Sequence, residues 1–170
     1  LSKRVNQNKI GVVPKQPTFV TGMVEEYIAG YEHTTCETQV QKTAKKVKVH
    51  GLISSLPNGY KTDYKTTKEN LTTGQLHQLS LAAALYRSPD VLILDEPNAL
   101  LDKTAERRLA DTIETLRSQG ITIFMSLHRS SLIGLCDKII VMENGRMDDI
   151  GSRTEVLGRK HDGKRQLRLA

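Results

Sequence analysis

Val91-Leu92-Ile93-Leu94-Asp95-Glu96-Pro97 decides the fold. Four consecutive apolar residues without polar alternation are the pattern of a strand buried on both faces, as in a parallel sheet covered by helices. The run delivers two carboxylates at its C-terminal end, where open α/β sheets place their ligands. An aspartate there can hold Mg²⁺, usually through water, and the glutamate after it can polarise a water for attack on a phosphate.

Two further apolar runs, Ile121-Thr122-Ile123-Phe124-Met125 and Ile139-Ile140-Val141-Met142, read the same way, as buried parallel strands. Between the first two runs, Ala105, Leu109, Ile113 and Leu116 keep one face of a helix from about Lys103 to Ser118. Asp102 is placed to cap its start and Gly120 to end it. Glu143-Asn144-Gly145-Arg146 reads as a hairpin turn into a short antiparallel strand, Met147 to Ile150.

Upstream of the carboxylates the pattern changes. From about Glu25 to Tyr86 the chain carries helical periodicity, a Pro57-Asn58-Gly59 turn and a Thr-rich polar stretch, Thr62 to Thr73. This predicts a mainly helical insertion in an α/β chain. Leu71-Thr72-Thr73-Gly74-Gln75 then opens an Ala-rich helix, Leu76 to Tyr86. A small, hydroxyl-bearing turn at a helix start exposes backbone N–H groups at the positive end of the helix dipole, which suits an anion. Downstream, a strand ends at Leu127-His128-Arg129, so that His128 can reach a phosphate oxygen.

Composition narrows the function classes. The 170 residues are 38% hydrophobic, enough for one ordinary core, and the 4% aromatic content without Trp supplies few stacking platforms for single-stranded nucleic acid. The net charge is +6, with basic residues concentrated in two places, Lys42 to Lys48 and the tail from Arg153 to Arg168. Both read as solvated surface. Cys36 and Cys136 lie far apart without partners at metal-ligand spacing and read as reduced thiols. No stretch approaches the ~18 apolar residues of a spanning helix.

The ordered set of hydroxyl-glycine turn, strand with Asp95 and Glu96, capped helix and strand with His128 resembles the ATP-binding cassette (ABC) family from about Ile10 to Leu157. Its signature, L-S-G-G-Q, matches Leu71, Thr72, Thr73, Gly74 and Gln75. Its Walker B strand matches Val91 to Glu96, its D-loop Asn98 to Asp102, its switch histidine His128, and its Q-loop strand Ile10 to Pro17. Leu56 to Tyr60 and Asp95 to Ala99 look most like exporters of the type I protein-secretion kind.

The resemblance implies an incomplete P-loop NTPase-type α/β core with a parallel sheet. Its segments would be 1–24 (Q-loop strand), 25–90 (helical signature subdomain) and 91–170 (remainder of the core with a basic tail). It implies ATP and Mg²⁺ as cofactors, with Glu96 as general base, Asp95 on the metal side and His128 on the γ-phosphate. Lys15, Gln16, Leu71 to Gln75 and Asp102 are the further nucleotide-binding positions. The implied partners are a second cassette, head to tail, and the transmembrane domains of an exporter, at the cytoplasmic face of a membrane such as the bacterial inner membrane. Nucleic acid is not expected, because about 55 residues between Q-loop and signature carry no heptad run.

The match has gaps. No G-x-x-x-x-G-K-[S/T] occurs, so the backbone phosphate cradle and its lysine are absent from this sequence, and the chain alone is expected to bind ATP poorly or not at all. Lys15 stands where the family has a glutamine. A cation beside Mg²⁺ is unfavourable, so the lysine is expected to swing away or take a phosphate oxygen, unless Gln16 serves after a one-residue shift. Thr73 adds a Cβ where the family has glycine, and Leu76, His77 and Gln78 replace an Arg-rich pattern. Lys15 and Thr73 suit an alternative, a degenerate cassette regulating an active partner; Asp95, Glu96 and His128 suit hydrolysis.

Overall fold

Gly11 and Val13 face inward from the first strand, and Leu92 and Leu94 do so from the second, so one face of a small parallel sheet forms the floor of the core. The computed structural model describes residues 9–17, 21–32, 34–65 and 69–159. It comprises two compact units, Leu1–Ser126 and Leu127–Ala170.

In the first unit, β1 (Ile10–Val13), β2 (Val91–Asp95) and β3 (Thr122–Ser126) form a parallel sheet in the order β1-β2-β3. The helices are α1 (Val24–Ile28), α2 (Glu37–Lys46), α3 (His50–Ser54), α4 (Thr73–Leu85) and α5 (Lys103–Ser118), with a 3₁₀ turn at Gly59–Lys61. The mainly helical insertion therefore stands, as does α5 with both of its ends. Asp102 Oδ1 accepts from the Ala105 N–H at 2.7 Å, and Gly120 takes a left-handed φ of +83°.

At the centre of the unit lies α4, packed against β1, α1, α2 and α5. Its apolar residues ring the helix, with Leu79, Leu81, Ala82 and Leu85 buried, as a helix enclosed by neighbours requires. It starts at Thr73, earlier than the expected Leu76, because Thr72 and Gln75 form a reciprocal cap. Thr72 Oγ1 accepts from the Gln75 N–H at 3.3 Å, and Gln75 Oε1 accepts from the Thr72 N–H at 2.8 Å. Val24, Ile28, Val40, Ala44, Val47 and Ile53 extend the core into the helical segment, where Tyr27 and Tyr64 stack with ring centres 5.2 Å apart.

Two expectations about strands need correction. Helices were expected on both faces of the sheet, yet the opposite face carries Val12 at 55%, Ile93 at 39% and Phe124 at 56% exposure. These three share one row of the register. An unbroken apolar run signals that both faces of a strand are apolar; it does not supply the second cover. The run at 139–142 is also not a parallel strand. In the second unit β4 (Lys138–Glu143) pairs antiparallel with β5 (Arg146–Ser152) in a two-stranded sheet. The expected hairpin dictates this: Asn144 and Gly145 both have positive φ, +49° and +75°, and return the chain on itself. A 3₁₀ segment, Ser130–Leu135, and α6 (Arg153–Gly158), capped by Ser152, complete this unit, with Leu132 and Val156 buried. The start of the basic tail is thus helical; its residues 160–170 lie outside the described residues, as do 66–68 of the Thr-rich loop.

Candidate functional site

Parallel pairing brings Asp95 opposite Ser126 at the ends of β2 and β3. Ser126 Oγ donates to Asp95 Oδ1 at 2.6 Å, the short length of a hydroxyl on a carboxylate. The same Oγ accepts from the Glu96 N–H at 2.9 Å, and the Ser126 carbonyl accepts from that N–H at 3.2 Å. Glu96 has φ +42°, a left-handed conformation that costs a non-glycine residue roughly 1–3 kcal/mol. Ser126 holds the backbone on one side, and the Ala99 N–H bonds the Glu96 carbonyl on the other at 3.1 Å. Strand β2 thus ends in a sharp turn that splits its two carboxylates: Asp95 is tied to β3, and Glu96 leaves in another direction.

Glu96 points to Lys15. The ammonium lies 2.6 Å from Glu96 Oε2, with the lysine side chain 43% and the glutamate 17% exposed. A half-exposed pair of this kind contributes ~1 kcal/mol or less to stability, so its consequence is chiefly positional. Lys15 follows β1 through Pro14, and its carbonyl accepts from His77 Nε2 at 3.1 Å. The acceptor requires the Nε2–H tautomer. His77 lies on α4, is 7% exposed, and is held below the usual histidine pKa by burial, partly offset by that hydrogen bond. A path of direct contacts therefore runs from α4 through His77 and Lys15 to Glu96. Gln16 is exposed, and the residue at the carboxylate is Lys15.

The turn opening α4 keeps its expected place, with a correction to its chemistry. The Thr72 hydroxyl oxygen and the Gln75 N–H are committed to the cap, so the first-turn N–H groups outside the helix's own ladder are those of Thr73 and Gly74. Leu71 is half-buried and Thr73 exposed. At Gly74 a Cβ would come 2.7 Å from Ala105 Cβ, so this glycine lets α4 lie close on α5. Asp102 acts through its carboxylate as the cap of α5. Asn98, 1% exposed, donates to Glu106 Oε1 at 2.9 Å and pins the turn after Pro97 to the same helix. His128 belongs to the second unit, where it is exposed.

Among the described residues, no group of three or more His, Cys, Asp or Glu could hold a metal ion. Mg²⁺ is commonly held by one or two carboxylates with water and substrate phosphates completing the octahedron. Asp95, exposed and oriented by Ser126, fits that role.

Sequence reasoning missed Ser126 and the part played by His77. Ser126 could have been found by aligning the ends of the two strands; His77 carries no local signal, since its partner is 62 positions away.

The ABC transporter family model matches residues 2–99. The chain is 33% identical, over 88% of its length, to the type I secretion system ATP-binding protein PrsD of Rhizobium meliloti, of which it covers 26%. It is 35% identical, again over 88%, to the ATP-dependent lipid A-core flippase of Saccharophagus degradans, of which it covers 25%. The chain thus spans about a quarter of the length of these relatives. Among solved structures, a bacterial Atm1-family ABC exporter with ATP bound superposes with a TM-score of 0.79 at 27% identity, over 92% of this chain and 27% of that one. With its family model matched across the strand ending in Asp95 and Glu96, the chain belongs to the ABC transporter family.

Proposed function

We propose that the chain is the signature-to-switch portion of a cassette that hydrolyses ATP to drive export across a membrane. The observation that carries the reading is the split carboxylate pair at the end of β2, with Asp95 bonded to Ser126 and Glu96 turned away on a left-handed backbone. Such a split suits two separate tasks on one phosphate.

In this reading Asp95 is the residue that would hold Mg²⁺, and the ion would supply neutralising charge to the phosphates. Glu96 accepts the proton of the attacking water, and its fixed backbone limits the directions from which it can do so. The Thr73 and Gly74 N–H groups, at the dipole end of α4, bind phosphate oxygens across a head-to-tail pair with a second cassette. Leu71, Thr72 and Gln75 shape that turn, Asp102 holds the D-loop against α5, and His128 contacts the terminal phosphate. The 25–90 segment forms the signature subdomain, and 1–24 with 91–170 belong to the ATPase core. Among the described residues no helix is long and apolar enough to cross a membrane. Transmembrane domains would come from elsewhere in the full-length protein, placing this chain on the cytoplasmic face.

Glu96→Gln in the full-length protein tests the reading. Loss of a general base costs about 10²–10⁴-fold in turnover, while ATP binding should persist because the carboxylate acts on water. Turnover at the wild-type rate would remove Glu96 from the mechanism.

A further inference from the structure

One hydroxyl touches both residues of the carboxylate pair and belongs to a different strand. Ser126, at the end of β3, stands opposite Asp95 in the parallel register. A serine hydroxyl carries a single proton, and here it goes to Asp95 Oδ1 at 2.6 Å. Among the described residues this is the only hydrogen bond that Asp95 accepts through its side chain, and Asp95 is exposed, so Oδ2 stays open to solvent. The same hydroxyl oxygen accepts from the Glu96 N–H at 2.9 Å, but that N–H has a second acceptor, the Ser126 carbonyl at 3.2 Å. The two links are therefore unequal. Without the hydroxyl, the turn that carries Glu96 keeps a backbone bond to β3, whereas Asp95 loses the donor that sets the direction of its carboxylate.

We propose that Ser126 is a positioning residue for the metal side of the site alone: its hydroxyl holds the Asp95 carboxylate ready for a nucleotide-bound divalent cation, while the placing of Glu96 does not depend on it. This inference rests on the ATPase reading and deepens it. An unrestrained carboxylate at an exposed strand end samples several rotamers, and ordering it has to be met when the cation binds. Hydrogen-bond partners of metal-binding carboxylates typically carry about 10–100-fold of metal affinity or activity. Since the active element is the hydroxyl rather than the bulk, threonine should replace Ser126 and valine, of the same shape without the hydroxyl, should not. Both are β-branched and suit a strand, and the exposed position leaves room for the added methyl.

The test uses the full-length protein and isothermal titration with the β,γ-imido analogue of ATP, in Mg²⁺ and in chelator, for wild type, Ser126→Val and Ser126→Thr. The quantity read is the ratio of the two affinities, which isolates what the metal adds. Ser126→Val should lower that ratio about tenfold or more and leave the affinity in chelator within about threefold, which also shows that the variant is folded. Ser126→Thr should keep the ratio within about threefold of wild type. In steady-state hydrolysis Ser126→Val should need more Mg²⁺ for half-maximal rate and regain kcat to within about threefold once Mg²⁺ is saturating. An unchanged ratio in Ser126→Val, or an equal fall in Ser126→Thr, would overturn the assignment. So would a loss of kcat that excess Mg²⁺ does not restore, since the hydroxyl would then act on Glu96. If the wild-type protein neither binds the analogue nor hydrolyses ATP, the ATPase reading itself fails and this inference with it.

Discussion

Replacing Gly74 by alanine probes the contact that sets the signature turn against the helix after the carboxylates. The added Cβ would lie 2.7 Å from Ala105 Cβ, whereas two carbons rest at roughly 3.5–4.0 Å. Both atoms are bonded directly to backbone, so no flexible side chain can yield, and α4 and α5 must part by about 1 Å. Overpacking of this kind costs roughly 1–3 kcal/mol, and replacing a helical glycine returns up to about 1 kcal/mol. The balance is a loss of about 1–2 kcal/mol, a fall in Tm of roughly 2–8 °C for a chain of this size. Thermal unfolding followed by circular dichroism measures it. Gly51→Ala is the control, since a Cβ at Gly51 meets nothing within 4 Å and should be neutral or stabilising by up to about 1 kcal/mol. Adding Ala105→Gly to Gly74→Ala removes the clashing atom, so the pair should couple favourably. A Gly74→Ala protein that melts at or above the wild-type temperature, with Gly51→Ala behaving as stated, would refute the close approach of the two helices.

Removing the carboxylate of Asp102, which caps α5 through the Ala105 N–H, should cost Asp102→Ala about 1 kcal/mol in urea unfolding; an unchanged midpoint would mean that the cap is dispensable. A second expectation concerns pH. Burial depresses the folded-state pKa of His77 below the ordinary histidine value, so the unfolded chain takes up the proton first as pH falls. The contribution of neutral His77 is complete above about pH 6.5 and is lost progressively below it, down to the depressed folded value. His77→Gln, which keeps a donor for the Lys15 carbonyl, should flatten the fall in stability between pH 7 and 5; an unaltered slope would assign that slope to other groups.

Several features were legible because they depend only on neighbours in the chain. Asp102 followed by the 3.6-residue apolar stripe fixed α5, Asn144-Gly145 fixed the hairpin, and the apolar run ending in Asp95-Glu96 fixed β2 and the position of both carboxylates. The parallel pairing of β2 and β3 followed from apolar runs without polar alternation flanking a helix, and the helical insertion from the change in pattern over 25–86. By contrast, the run at 139–142 misled, since four apolar residues look alike in a parallel or an antiparallel strand and only the return through Asn144-Gly145 decides between them.

What the sequence by itself determined, then, is β2, β3, α5, the hairpin turn and the family, because hydrophobic period, turn chemistry and cap residues are local properties. The site's internal wiring was decided by tertiary structure alone. Lys15 could have repelled a metal, taken a phosphate or lain outside the site; the fold sets it on Glu96, because β1 pairs beside β2 and both end at the same level. Ser126 became the link between Asp95 and the Glu96 N–H through strand register, and His77 became the hold on Lys15 through the packing of α4 on β1. Each of these is a contact between residues far apart in the chain, whose formation depends on the packing of whole elements rather than on any local preference, and no periodicity in the sequence encodes it.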